Sequence, residues 1–585
     1  MSTVDFIEAG TRKNVSEIQA LALTIMNAPA TSVVSVKDLY TAAMQQTSAV
    51  FSNQTMPQID ESFPENANVI SNFTGEDTCE TDWFVKTVPT TEEAMTNPDS
   101  ADEREELLDV IRRASYDLIQ REMFLHSVYL TDNPDFNCRI DITAPVQFPK
   151  LLLDTAIHYY PIDEKTSKNY AKSRKLDMPS IRIVCYPEWE NEEWLYWKSK
   201  AHNETEEEPE RLMMIYDTET NTAFLLGAKN FSEIRKAIKV LAWNTSVESA
   251  NGDFLPVNGT AKTVSFKKTV NKKSSVSSTT FLTVSCCESE RSFFGLNAHA
   301  SETTGKGEEI STVTSGDSGL LLLASAQNNK KKSIINFGRN GFGSIDSVIA
   351  GTKGTPQIVS AENLALVKTA EDKKEFILNP MLSPNAKIHT QLTQEDKDFP
   401  MPEYVILMVK DGALPPVSMI KDQELMTSLW FSYTTECDCC SDSKVIPGGN
   451  SDATWDIDSE IEIFGKIAKK GKFRFILVNT EPYSESNLEP LADEVVLSLY
   501  TKITKNEISW KEWKALPGFN IPDKGTFKNV KKDFDSVYDT AKFSADPIYK
   551  DLLRDSLEMK IEYLRTIDAP QALTAPLYKI LAKLV

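Results

Sequence analysis

The chain has 585 residues, with 63 Lys and Arg against 85 Asp and Glu, a formal net charge of −22 and a pI near 4.9. That balance excludes nucleic acid as the main partner, because such affinity comes from Lys and Arg displacing counterions from phosphates. Hydrophobic residues at 41% and charged residues at 25% exclude disorder over most of the length, and the length leaves room for two or more subdomains.

The stretch Met1–Asn14 carries neither a basic-then-apolar signal nor an Arg-rich transit pattern, and no apolar run approaches the ~20 residues of a membrane span. A cytoplasmic protein with no membrane partner is expected. The eight cysteines are then expected as reduced thiols.

In chain order, residues 1–58 predict an N-terminal helical segment, with Ser16 as N-cap of Glu17–Met26 and Val36–Tyr40 opening a second helix. Beyond an acidic stretch, apolar residues recur at helical spacing over Asp102–Leu118, and Glu122–Leu130 changes to a strand pattern. Ile181–Cys185, Leu212–Tyr216 and Ala223–Leu226 are strand-like, and Phe231–Leu241 is an amphipathic helix. Asn258–Thr280 is rich in Lys, Ser, Thr and Val and predicts an exposed hairpin or a loop, its basic run being first of all a solvated face. Phe281–Cys286, Gly319–Ala324, Ser333–Phe337, Tyr404–Val409 and Phe473–Asn479 predict a buried sheet, and Ala541–Leu584 is helical with interruptions at Pro547, Pro570 and Pro576.

The sharpest local signal is Lys410-Asp411-Gly412-Ala413-Leu414-Pro415-Pro416-Val417-Ser418, a strand running into a turn that two prolines make rigid. It is similar to the "DAFGVLPPVS" segment of the ATP-dependent phosphoenolpyruvate carboxykinase family. Leu429–Glu436 resembles that family's "SGYTAKxAGTE", Leu477-Val478-Asn479-Thr480 its "LVNTGW", and Leu516–Pro522 its "LPxFNLxIP". Thr131–Asp135 with a helix-like stretch to Pro161 resembles the family's N-terminal region, and Asn72-Phe73-Thr74-Gly75 stands at its "xTGRSPKDK". In this order the likeness spans about residues 30–575.

The resemblance implies an α/β fold: a carboxykinase-like mixed α/β subdomain over 59–245, a Lys/Ser/Thr-rich insertion over 246–280, and a mononucleotide-binding-like, P-loop-type subdomain with C-terminal helices over 281–585. The family's reaction converts oxaloacetate and ATP into phosphoenolpyruvate, CO2 and ADP. It needs a phosphate cradle, carboxylates for Mg or Mn, and cations for the substrate.

These parts are degenerate here. The phosphate loop falls on Thr314-Ser315-Gly316-Asp317-Ser318-Gly319-Leu320-Leu321, with Leu320 in place of the phosphate lysine, Leu321 in place of the metal-holding hydroxyl, and Asp317 repelling an anion. The metal motif falls on Asn336-Phe337-Gly338-Arg339, which offers no carboxylate. Glu76 reverses the charge of a substrate arginine, and Lys387 keeps only part of another. Lys236 and His299 match the family's metal-ligating lysine and histidine, and are expected as vestiges without a bound metal.

Cys437-Asp438-Cys439-Cys440 lacks the second ligand pair of a zinc site and reads as a reduced loop. His126, His158, His202 and His389 occur singly, and there is no GxSxG or HExxH. Trp189, Trp194 and Trp197 read as packing residues ahead of a recognition surface. The expected function is therefore a catalytically inactive carboxykinase-like protein in a structural or adaptor role, with a cytoskeletal assembly as one setting. Its cofactors are expected to be none and its partners proteins. The alternative is a divergent active carboxykinase or small-molecule kinase using ATP with Mg or Mn. Lys267, Lys268, Lys272 and Lys273 form a local cationic patch suited to an acidic partner.

Overall fold

The computed structural model describes residues 16–46, 49–72, 83–173, 180–189, 212–248, 253–285, 293–297, 299, 302, 304–315, 321–324, 333–344, 357–364, 366–368, 374–376, 386–391, 399–437, 440–446, 453–481, 490–545 and 548–584. Contacts divide the chain into one unit of 1–245, 337–345 and 357–392 and another of 246–336, 346–356 and 393–585. The division is interleaved, so the stretch 281–585 contributes two strips to the first unit.

The first unit is mixed α/β. Its seven-stranded sheet runs in the order 31–33, 123–129, 139–145, 181–186, 222–226, 212–217, 83–87. Helices Glu17–Met26 and Pro98–Leu118 cover one face. Ser16 caps the first, its Oγ accepting from Gln19 N at 3.2 Å and donating to Asp217 Oδ2 at 2.9 Å. The second starts with Asn97 as cap and Pro98 in its first turn, and buries Leu107, Ile111, Ala114 and Leu118 along one stripe. Two expectations are corrected. Residues 1–58 are not all helical, because β-branched Thr31 and Val33 add a short parallel edge strand beside Met123–Leu125 and Ala49–Thr55 forms a second strand. The stretch to Pro161 is not all helix-like, because Ile140, Ile142 and Ala144 alternate inward along strand Arg139–Pro145.

A five-stranded sheet, 341–344, 387–390, 358–362, 68–72, 49–55, completes this unit. All ten residues of helix Pro149–His158 are buried. Lys150, Asp154 and His158 recur every fourth residue, so they form one polar stripe, and it meets strand Ile358–Glu362.

The second unit holds an eight-stranded sheet in the order 308–314, 259–270, 273–284, 404–409, 474–479, 417–420, 519–522, 510–512. Tyr404–Val409 lies parallel to both of its neighbours, as its continuous apolar run requires of a central strand. Helix Asp493–Thr504 packs Val495, Val496, Leu499 and Tyr500 into a core with Ile406, Met408, Ile476 and Val478. The 258–280 stretch is no appended loop: its strands are paired over all twelve positions, and the base is buried while the outer part is exposed.

The P-loop-type expectation is corrected at its strand and its helix. Strand Glu308–Thr314 ends next to Ser315, but it is the outermost strand of the sheet and antiparallel to Gly259–Val270. Leu321–Ala324 is a buried strand between Phe254–Val257 and Ile334–Asn336, where a phosphate loop would open a helix. Four consecutive Leu and Ala side chains bury better between two strands than around a solvated turn. Pro576 does not interrupt helix Gln571–Leu581 but is buried inside it. No helix among the described residues is long and apolar enough to cross a membrane.

Candidate functional site

In the second unit, strand Gly259–Val270 carries Lys262 into the interior, fully buried. Its Nζ donates to Phe294 O at 2.7 Å and Asn297 O at 3.3 Å, lies 3.1 Å from His299 Nε2, and stands 3.6 Å from the centre of the Tyr500 ring. His299 Nδ1 lies 2.6 Å from Glu302 Oε1. A carboxylate only accepts, so Nδ1 carries the proton and the Nε2 lone pair faces Lys262. Burial first, and the Lys262 charge second, push the His299 pKa down to about 4, leaving a neutral imidazole. Burial likewise pushes Lys262 well below the usual lysine range, with Glu302 pulling the other way. The approach of the 293–297 segment depends on Gly295, whose added Cβ would fall 1.6 Å from Thr260 Oγ1.

A divalent ion binds imidazole nitrogen at about 2.1 Å, and here the Lys262 amino group stands on that lone pair. With Lys262 so placed, the Nε2 lone pair of His299 is engaged by the amino group. Lys236 belongs to the other unit, half-buried on helix Phe231–Glu248.

At the positions that the resemblance assigns to a metal motif, the residues make packing and hydrogen-bond contacts. Asn336 closes strand Ile334–Asn336 opposite Leu321. Phe337 stacks on Phe136 with ring centres 6.1 Å apart. Gly338 has φ +78°, and an added Cβ would lie 2.5 Å from His158 Nε2. Arg339 closes the end of helix Pro149–His158: its guanidinium donates to Ala156 O at 2.7 Å and Ile157 O at 3.3 Å, and pairs with Asp60. Ser315, in the expected phosphate loop, is buried, and its Oγ accepts from Ala261 N at 2.9 Å.

The polar stripe of helix Pro149–His158 is a second cluster. Lys150 Nζ donates to both Asp154 oxygens at 2.7 and 2.6 Å, to Ser360 Oγ at 2.8 Å and to Ala361 O at 3.2 Å. Burial raises the pKa of Asp154 against the pull of Lys150. His158 and His389, read singly in the sequence, have ring centres 5.7 Å apart, with Phe231 and Phe342 against both. Glu362 accepts from Phe231 N and Glu233 from Lys229 N and Asn230 N, so two carboxylates cap helix Phe231–Glu248. Burial raises both, Glu233 to about 8. Lys387 stands 5.9 Å from the Phe342 ring centre and Arg235 5.4 Å. No sequence motif marked Lys262 or Lys150, although a charge every fourth residue along an apolar helix was available as a signal for Lys150 and Asp154.

The two strongest sequence segments meet. Asn479, ending strand Arg474–Asn479, donates through Nδ2 to Asp411 O at 2.6 Å and Leu414 O at 2.9 Å, and its Oδ1 accepts from Asp411 N at 3.1 Å. The Asp411 carboxylate accepts from Lys560 Nζ at 2.5 Å and Ser556 Oγ at 2.7 Å. The turn is therefore clamped by two other segments of its unit.

Glu76, Gly316, Asp317, Ser318, Gly319 and Leu320 lie outside the described residues, as do Trp194, Trp197, His202, Asp438 and Cys439. Trp189 packs edge-on to Tyr186 with ring centres 5.4 Å apart. Cys437 and Cys440 are in register across an antiparallel strand pair. Among the described residues, no three His, Cys, Asp or Glu are grouped to hold a metal ion. No family model and no curated protein matches this chain.

Proposed function

We propose that this chain is a carboxykinase-like protein without carboxykinase chemistry, acting as a structural or adaptor component of a cytoplasmic assembly, a cytoskeletal one being the first to test. The single observation carrying the proposal is the Lys262–His299 contact: the ring nitrogen that the resemblance assigns to a metal is engaged by a lysine amino group. Arg339 supports it, because a side chain that caps a helix and pairs with Asp60 is committed to structure. Phosphoryl transfer relies on metal ions and cations placed to stabilise charge, and parts that act as one unit fail together. By contrast, the Lys410–Ser418 turn keeps its clamp, and function belongs to sites and not to folds.

Titration calorimetry with ATP and Mn²⁺ or Mg²⁺ tests the loss of chemistry. No saturable binding below millimolar nucleotide is expected, and micromolar binding returns the reading to a divergent enzyme. Pull-down with the full chain from cytoplasmic extract, against a variant with Lys267, Lys268, Lys272 and Lys273 changed to Glu, tests the adaptor role. Equal recovery of every partner removes the lysine patch from it.

A further inference from the structure

The arm formed by strands Gly259–Val270 and Lys273–Val284 turns at Asn271 and Lys272, both with positive φ (50° and 65°), as a two-residue type I′ connection requires. Its residues 267–278 are exposed. Strand Lys273–Val284 pairs with Tyr404–Val409 only through Phe281–Val284, so among the described strands the outer edge of 273–279 has no neighbour.

Four serines lie on that stretch, and three have their hydroxyls engaged. Ser274 Oγ lies 3.0 Å from Thr269 Oγ1, Ser277 Oγ donates to Thr504 O at 3.1 Å, and Ser278 Oγ lies 2.7 Å from Ser265 Oγ. Among the described residues, Ser275 Oγ reaches only Lys268 O, at 3.5 Å, the outer limit of a hydrogen bond. Ser275 is also the serine preceded two and three positions earlier by Lys273 and Lys272. Directly across the strand pair it faces Lys268, so Ser275, Lys268 and Lys273 share one face of the arm. Lys505, 4.9 Å from the Phe266 ring centre, lies over the same face, because Phe266 is opposite Ser277. Glu308, 2.9 Å from Lys268, is an acid on this face, and the Glu507 carboxylate also acts on Lys268.

We propose that Ser275 is a phosphorylation site for a serine kinase that selects basic residues before its acceptor, and that the phosphate docks on Lys268 and Lys273. The Ser275 hydroxyl attacks the γ-phosphorus of ATP, the bond to the bridging oxygen of ADP breaks, and the hydroxyl proton passes to the kinase base. An extended, edge-exposed acceptor is the form a kinase cleft takes. The product adds about −1.5 to −2 charge and three acceptor oxygens opposite Lys268, which then has a stronger partner than Glu308. The inference is independent of the carboxykinase reading.

The test uses the purified full chain with Mg²⁺–ATP and the catalytic subunit of cyclic-AMP-dependent kinase, with sites mapped by mass spectrometry. One phosphoryl group on Ser275 is expected, absent in Ser275→Ala, retained in Ser274→Ala, and slowed about tenfold in the Lys272→Ala/Lys273→Ala variant, a loss of ~1.4 kcal/mol. Phosphate on another residue overturns the proposal. So does no incorporation into the folded chain, whether or not a peptide of residues 268–281 is accepted. Docking is read by phosphorus NMR: the second phosphate pKa is expected below its value in that phosphopeptide and to rise again in Lys268→Ala. Equal values in protein and peptide overturn the docking step.

Discussion

Lys262 Nζ lies 3.1 Å from Nε2 of His299, and the two residues share one buried polar cluster with Glu302 and the carbonyls of Phe294 and Asn297. Lys262→Met keeps the stem and removes the donor. It takes the Lys262 donor from two carbonyls and a ring nitrogen, and unsatisfied buried acceptors cost about 1–3 kcal/mol each. A loss of roughly 3 kcal/mol in urea unfolding at pH 7 is expected. A variant as stable as the parent would show that the cluster has no structural role.

The same cluster predicts acid sensitivity. The folded pKa of His299, about 4, lies below the ordinary value of 6.5. Between these values the unfolded chain binds the extra proton, so stability present above about pH 6.5 is lost as pH falls towards 4. His299→Gln removes that titration. Urea midpoints of parent and variant from pH 7 to 4.5 are expected to converge as pH falls, and a constant gap would count against the neutral imidazole.

Glu460 predicts the opposite slope. It is buried on helix Ile457–Gly471, accepts from Trp455 Nε1 at 3.0 Å, and burial raises its pKa to about 8. The folded state therefore binds the extra proton between about 4.5 and 8, so the stability that Glu460 contributes is lost as pH rises through that window. Glu460→Gln is expected to flatten this loss and to be the more stable protein at pH 8, by on the order of 2 kcal/mol. Thermal unfolding at pH 5.5 and 8 measures it, and a parent that keeps its lead at pH 8 refutes it.

The Asp411–Lys560 pair is buried on both sides, with side chains 4% and 2% exposed at 2.5 Å. Lys560→Met leaves a buried carboxylate with its ammonium gone, expected to cost about 3–5 kcal/mol. Adding Asp411→Asn is expected to recover part of that loss, and a double variant no better than the single one would show the charge is not the cause.

Gly338 is a backbone requirement. Gly338→Ala meets both the positive φ of +78° and His158 Nε2 at 2.5 Å, so a loss of at least ~1 kcal/mol is expected in chemical denaturation. A neutral substitution would mean the 336–339 turn can relax.

Much of the framework was legible because local periodicity carries it. Tyr404–Val409 is the strand its apolar run predicts, and the Ser16 cap and the Pro98–Leu118 stripe follow side-chain chemistry within one or two turns. The Lys410–Ser418 turn was visible because two prolines restrict the backbone wherever they occur.

The long-range partners of the singled-out residues were not legible. Leu321 in a strand, Arg339 closing a helix, His158 beside His389, and His299 held by Lys262 37 positions earlier all depend on partners far along the chain. Sequence alone determined the acidic, mixed α/β character and the absence of a carboxylate from Asn336–Arg339, because composition and residue identity are local. Only the tertiary structure decided which partners these residues meet, since a buried polar group takes whichever donor or acceptor the fold brings within about 3 Å.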